Sequence, residues 1–195
     1  MTTTTPLDLT SSVAEVARVV TAVPEDQLTA PTPCADTSVA ALLDHLHGLA
    51  VGLRLAAEKR STGAPSPSAD ALPADWRTRI PRELDELADA WRDPAAWEGT
   101  AEPGGVALPA AWAGRVALNE VVVHGWDLAV ATGRAYAPDP AAVRACTAYG
   151  REFAAAVPEA RDSIYGPEVP VPADAPELDQ LLGLTGRDPG WRPVG

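Results

Sequence analysis

Residues 110–132 read AAWAGRVALNEVVVHGWDLAVAT. Val121, Val122 and Val123 form a β-branched run that would suit a strand. The length of the stretch and the helical periodicity on both sides of the run favour a helix. That choice has a chemical consequence. On a helix Glu120 and His124 lie one turn apart on one face, with Cβ atoms roughly 5–6 Å apart, close enough to share a metal ion. On a strand they would be about 13 Å apart and could not. Such pairs are also common on solvated helix faces. Here Val, Leu, Ala and Trp surround the pair, and a buried carboxylate needs a partner or a metal.

Outward from this helix, Gly133 is a natural residue to follow its end. The preceding connection, 93–109, holds three prolines and is read as long and irregular. Before it, Trp76, Ile80, Leu84, Leu87 and Trp91 make an apolar stripe over about 75–92, where Pro81 implies a late start or a kink. Residues 61–74 read as a flexible polar loop. The second helix, roughly 38–60, is capped by Ser38 or Thr37 and is apolar around most of its circumference. Gly48 and Gly52 within it suggest close approach of another backbone or a ligand. Leu9, Val13, Val16, Val19 and Val20 define a first helix that ends at Pro24. After Gly133, Asp139-Pro140 opens a fifth helix, about 139–156. A short helix near 176–184 lies in a Pro-rich tail. The class is all-α, organised as a single domain, 1–195.

Composition narrows the partners. Fifteen Lys and Arg against 27 Asp and Glu give a net charge of −12. That charge opposes nucleic acid and anionic lipid surfaces, so no nucleic acid partner is expected. No run of about 18 uninterrupted apolar residues exists, so no membrane span is expected either. The opening MTTTTPLDLT lacks the basic and apolar regions of a signal peptide. Cys34 and Cys146 show no metal-binding or disulfide spacing and read as reduced thiols. The expectation is a cytoplasmic protein.

The second helix carries His45 and His47. Two residues on a helix are about 200° apart, so both cannot face one site. His45 falls on the inward face, where a hydrogen-bonded core histidine is the ordinary outcome. Asp127, three residues beyond His124, is either a helix-surface carboxylate or one that orients an imidazole from behind.

The segments PTPCADTSVAALLDHLHG (31–48), VALNEVVVHGWDLAVATGR (116–134) and YGPEVPVPADAPELDQLLGLTGRDPGW (165–191) together resemble the DinB-like metal-binding superfamily. Within it the chain is most similar to the mycothiol-dependent maleylpyruvate isomerase group. The resemblance implies an up-down-down-up four-helix bundle with an extra C-terminal helix and a Pro-rich tail. It implies a metal held by His45 together with Glu120 and His124, while His47 falls outside the pattern. Relatives often carry Trp where this chain has Thr37, a change expected to widen the pocket.

Two His and one carboxylate leave coordination positions open, as in catalytic zinc sites. Zinc is the first expectation, with nickel or iron as alternatives. By the resemblance, the metal activates a small thiol of the mycothiol type, or water, for S-transfer or isomerisation of a small electrophilic substrate. Glu120 and Asp127 are the candidate catalytic residues. Two other readings stand beside it: a non-catalytic metal-binding bundle in stress response, and a metal-dependent hydrolase or lyase. The expected state is monomer or homodimer.

Overall fold

The computed structural model describes residues 6–61, 63 and 66–193. The first five residues, positions 62, 64 and 65 of the 61–74 loop and the last two residues lie outside the described residues. Helix α1 (Thr10–Thr21) buries Val13, Val16, Val19 and Val20 almost completely. Helix α2 (Val39–Ala57) starts where the Ser38 hydroxyl accepts from the Ala41 N–H at 3.3 Å. That bond satisfies one orphan donor of the first turn. It stops short of 60 because the chain turns back at Lys59, which sits at φ 59°. The Lys59 ammonium fastens that turn by donating to the Ala96 and Glu98 carbonyls, at 2.8 and 2.7 Å.

Helix α3 (Trp76–Trp91) buries its whole expected stripe and starts at Trp76, so Pro81 does not delay it. Pro81 has no N–H to donate to the Arg77 carbonyl, which is the usual cost of an internal proline. Helix α4 (Ala110–Ala131) runs unbroken through the three valines, and Gly133 follows at φ 64°. The 93–109 connection has more order than its prolines suggested. Thr100–Ala101 (β1) pairs antiparallel with Leu108–Pro109 (β2). The buried Trp97 donates its Nε1–H to the Trp91 carbonyl at 2.7 Å.

Helix α1 packs on α3 and α4, and α2 packs on the same two, so the order around the bundle is α1–α3–α2–α4. This is the all-α, DinB-like arrangement. Gly125 keeps α4 close to α1, since a Cβ there would sit 2.5 Å from a Val16 methyl carbon and 2.7 Å from the Tyr136 hydroxyl. By length and composition alone α2 could cross a membrane, but half of it is buried within the bundle. It presents Asp44, His45 and His47 to a cleft, as described below.

A second layer covers one side of α4. Helix α5 (Pro140–Ala156) begins as expected, with the Asp139 carboxylate accepting from the Ala141 N–H at 2.8 Å. Pro158 then opens a further helix, α6 (Pro158–Tyr165), in a stretch for which the sequence predicts no element. Helix α7 (Glu177–Leu184) packs on α5. Trp112 of α4, Tyr149 and Phe153 of α5 and Tyr165 of α6 stack edge-on or tilted at 5.5–6.4 Å, tying the layer to the bundle.

Candidate metal centre

Helix α4 places Glu120 and His124 one turn apart, and His124 Nε2 lies 3.0 Å from Glu120 Oε2. From the neighbouring α2, His45 brings its Nε2 to 4.0 Å from the same carboxylate oxygen. The two imidazoles meet edge to face, with ring centroids 4.9 Å apart. All three ligand atoms lie within 4.8 Å of one another. Ligand atoms on a tetrahedral zinc ion are about 3.4 Å apart, given bonds of roughly 2.0–2.2 Å. The three donors therefore need only small side-chain adjustments to close on one ion. The nitrogen and oxygen chemistry suits zinc, nickel or iron.

His47 goes elsewhere. Its Nδ1 lies 2.6 Å from Oε2 of Glu83, a buried carboxylate on α3. The two histidines of α2 separate as their angular offset requires.

The other edge of the His124 ring faces a second group. Asp127, 0% exposed, holds His124 Nδ1 at 2.9 Å. Arg187 from the tail donates Nη2–H to Asp127 Oδ2 at 3.1 Å and Nε–H to Oδ1 at 3.4 Å. Its Nη1 donates to the Thr185 carbonyl at 2.7 Å. Gly186 at φ 76° makes this turn possible, because a Cβ there would lie 2.1 Å from the Tyr165 carbonyl oxygen. The Cys34 thiol completes the group, 3.3 Å from Asp127 Oδ2, 4.0 Å from His124 Nδ1 and 3.5 Å from Arg187 Nη2.

Cys34, His124 and Asp127 also bring three ligand atoms within 4.8 Å of one another. The Arg187 guanidinium already touches two of these three residues, so a divalent ion there would face a fixed positive charge. Arg187 does not touch the Nε2 side, lined by His45 and Glu120, and acts there only through space, so that side is the better place for an ion.

Electrostatics follow from this arrangement. Burial opposes a charged His124 ring, but Asp127, Cys34 and Glu120 outweigh it and hold its pKa well above the usual value. Burial would raise the Glu120 and Asp127 carboxyls, yet both stay below the ordinary range. His124 is the main cause in each case, joined by His45 and Arg187 at Glu120 and by Arg187 at Asp127. His45 is pushed down by burial and by the neighbouring His124. Cys146 lies apart, free and buried in the core, its thiol pushed up to about 12 by burial.

The centre opens into a cleft of about 1290 Å³. Its walls include Leu42, Leu53, Val116 and Ile164 beside Thr37, Asn119 and Tyr165. Gly48 also lines it, and no heavy atom lies within 4 Å of where its Cβ would be. Of the two expected partners, another backbone or a ligand, no backbone closes on Gly48, which leaves open space in the cleft. Sequence reasoning missed Arg187 and the position of Cys34. Both sit in Pro-rich, aperiodic segments, and only their presence in the quoted motifs marked them out.

The mycothiol maleylpyruvate isomerase N-terminal domain family matches residues 9–129, a span that holds His45, Glu120, His124 and Asp127 and stops before Arg187. Two uncharacterized proteins of Mycobacterium tuberculosis, MT0763 of strain CDC 1551 / Oshkosh and Rv0738 of strain H37Rv, are each 30% identical to the chain. Each match covers 83% of this chain and 86% of the relative. The crystal structure of the mycothiol-dependent maleylpyruvate isomerase superposes with a TM-score of 0.54 at 18% identity. That superposition covers 71% of this chain and 65% of the isomerase chain, and it speaks for the fold. On the extent of the family match, residues 9–129, the chain belongs to the mycothiol maleylpyruvate isomerase N-terminal domain family.

Proposed function

We propose that the chain is an enzyme that binds one divalent ion, zinc first, through His45, Glu120 and His124, and acts with a mycothiol-type thiol on a small electrophilic substrate. The observation that carries the reading is the convergence of two imidazole nitrogens and one carboxylate oxygen within 4.8 Å at the wall of a large cleft. When bound, the ion supplies the positive charge that favours thiolate over thiol near neutral pH. Three protein ligands leave a coordination position for that sulfur.

The chain's own residues do the rest. Asp127 accepts the Nδ1 proton of His124, which fixes the tautomer and turns the Nε2 lone pair toward Glu120 and His45. Being fully buried, Asp127 acts through His124 as a positioning residue. Arg187 keeps the Asp127 carboxylate charged, and Glu120 contributes the negative charge of the ligand set. The apolar cleft wall lowers the local dielectric, so these interactions weigh more than they would in water. A thiolate so favoured would add to an electrophilic double-bonded carbon, the π electron pair moving onto the conjugated acceptor; expulsion of the same thiolate after bond rotation would give isomerisation, and protonation of the adduct would give S-transfer.

Elemental analysis and calorimetric titration with mycothiol test this reading. About one equivalent of metal is expected, and chelation should abolish mycothiol binding until zinc is restored. Full mycothiol binding by protein verified to be metal-free would overturn it.

A further inference from the structure

The cleft beside the metal centre is short of positive charge. Among the described residues that line it, Arg187 is the one Arg or Lys. Its side chain is 12% exposed and its guanidinium is already committed, with Nη2–H and Nε–H donating to the Asp127 carboxylate and Nη1–H to the Thr185 carbonyl. His47 also lines the cleft, but the Glu83 carboxylate on its Nδ1 offsets any charge the ring carries. Against these stand the carboxylates of Asp44 and Glu120. Zinc does not reverse the balance. A divalent ion with Glu120 and a bound thiolate sums to zero, and so does Arg187 with Asp127, which leaves the charge of Asp44. The remaining wall is largely apolar, and Ile164 of α6 lines it with its side chain 59% exposed. A carboxylate entering this space loses water and meets no free cation, whereas an apolar group gains contact.

We propose that the electrophile taken by this cleft is an uncharged, conjugated carbonyl compound with an apolar arm, and that Asp44 and Ile164 set the preference. Asp44 repels carboxylates, and Ile164 covers the arm. The inference rests on the thiol reading above and separates this chain from the isomerase it matches in fold, since maleylpyruvate carries two carboxylates. In the addition, the sulfur–carbon bond forms at the carbon β to the carbonyl and the π pair moves toward the carbonyl oxygen. The proton given up by the thiol ends on the α carbon, so S–H adds across the double bond and no oxidant or reductant is needed.

Benzalacetone, its para-carboxylate and methyl vinyl ketone share one electrophilic group and differ in charge or arm. With zinc-loaded protein and mycothiol, kcat/KM for benzalacetone should exceed that for its carboxylate about tenfold or more, each rate corrected for the reaction with mycothiol alone. Asp44→Asn can still accept from the Ser68 N–H and should narrow that gap by about three- to tenfold. Ile164→Ala should raise KM for benzalacetone about fivefold and leave methyl vinyl ketone within about twofold. The saturated ketone benzylacetone reads the same contact without turnover, and its calorimetric affinity should fall by a similar factor in Ile164→Ala. Metal content and helical circular dichroism equal to those of the parent establish that each variant is folded. If Asp44→Asn is not, the parent's discrimination and Ile164→Ala decide. A carboxylate handled as well as benzalacetone, maleylpyruvate isomerised at a higher kcat/KM than benzalacetone reacts, or variants that shift all electrophiles alike would overturn the substrate class and leave the thiol reading standing. If no enone reacts faster than with mycothiol alone, the thiol reading falls and the inference with it.

Discussion

The two edges of the His124 ring carry similar sets of groups and opposite roles. On the Nε2 side a carboxylate and a second imidazole, 21% and 32% exposed, face a cleft. On the Nδ1 side a carboxylate and a thiol are closed in by a guanidinium. Ligand types and spacings alone make both into candidate metal sites. Contact with a fixed cation distinguishes them: Arg187 hydrogen-bonds to the inner carboxylate and thiol, whereas it reaches the outer carboxylate and imidazole only through space. Three ligating residues near one another are thus a weak criterion until the nearest fixed cation has been located.

The largest effect that separates the two sides should come from His124→Ala, which removes the ligand they share. Metal in the purified variant should fall to background by elemental analysis, because two remaining donors hold a first-row ion poorly. Metal retained at parental level would move the site away from α4. Asp127→Asn comes next. It keeps the shape but weakens the acceptor on Nδ1, and should lower zinc affinity by about 10–100-fold in a competition titration. No change would reduce the inner group to packing.

A smaller effect concerns protons. His124 has a raised pKa in the metal-free protein, so its ring is charged around neutral pH, and zinc must displace a proton to reach Nε2. Binding at pH 7 should release about one proton, measured by calorimetry in buffers of different ionisation enthalpy. Zinc affinity should rise with pH until the folded pKa of His124 is passed, then level off. The sign for stability runs the other way. The charged ring between Glu120 and Asp127 stabilises the metal-free fold below the unfolded pKa of histidine. That contribution fades as pH rises through the folded value. The smallest effect is Cys34→Ser, expected to leave metal content unchanged. A clear loss would bring the thiol into the ligand set and reverse the assignment of the two sides.

Much of the outer side was legible in the sequence, because it hangs on helical register. Once 110–132 is read as helix, Glu120 and His124 must share a face. The apolar surroundings of LLDHLHG place His45 inward and send His47 elsewhere, to Glu83 as it turns out. Ser38 and Asp139-Pro140 announced their helices by their side-chain chemistry. The inner side was not legible. Arg187 reaches Asp127 across 60 positions through a turn that Gly186 allows, and no periodicity encodes such a contact. Helix α6 was hidden for a related reason: its eight residues begin with a proline and bear no apolar stripe long enough to recognise.

The order α1–α3–α2–α4 around the bundle has a kinetic consequence. His45 and Glu120 come together only after α2 has found α4 across the intervening α3 and hairpin, so the ligand set is assembled by contacts remote in the chain. Such contacts are costly in loop entropy and form late. An ion that needs the finished set cannot guide the early collapse. Its binding would add stability that the transition state for folding lacks, so zinc is expected to lengthen the lifetime of the native protein, slowing unfolding and leaving the folding rate almost unchanged.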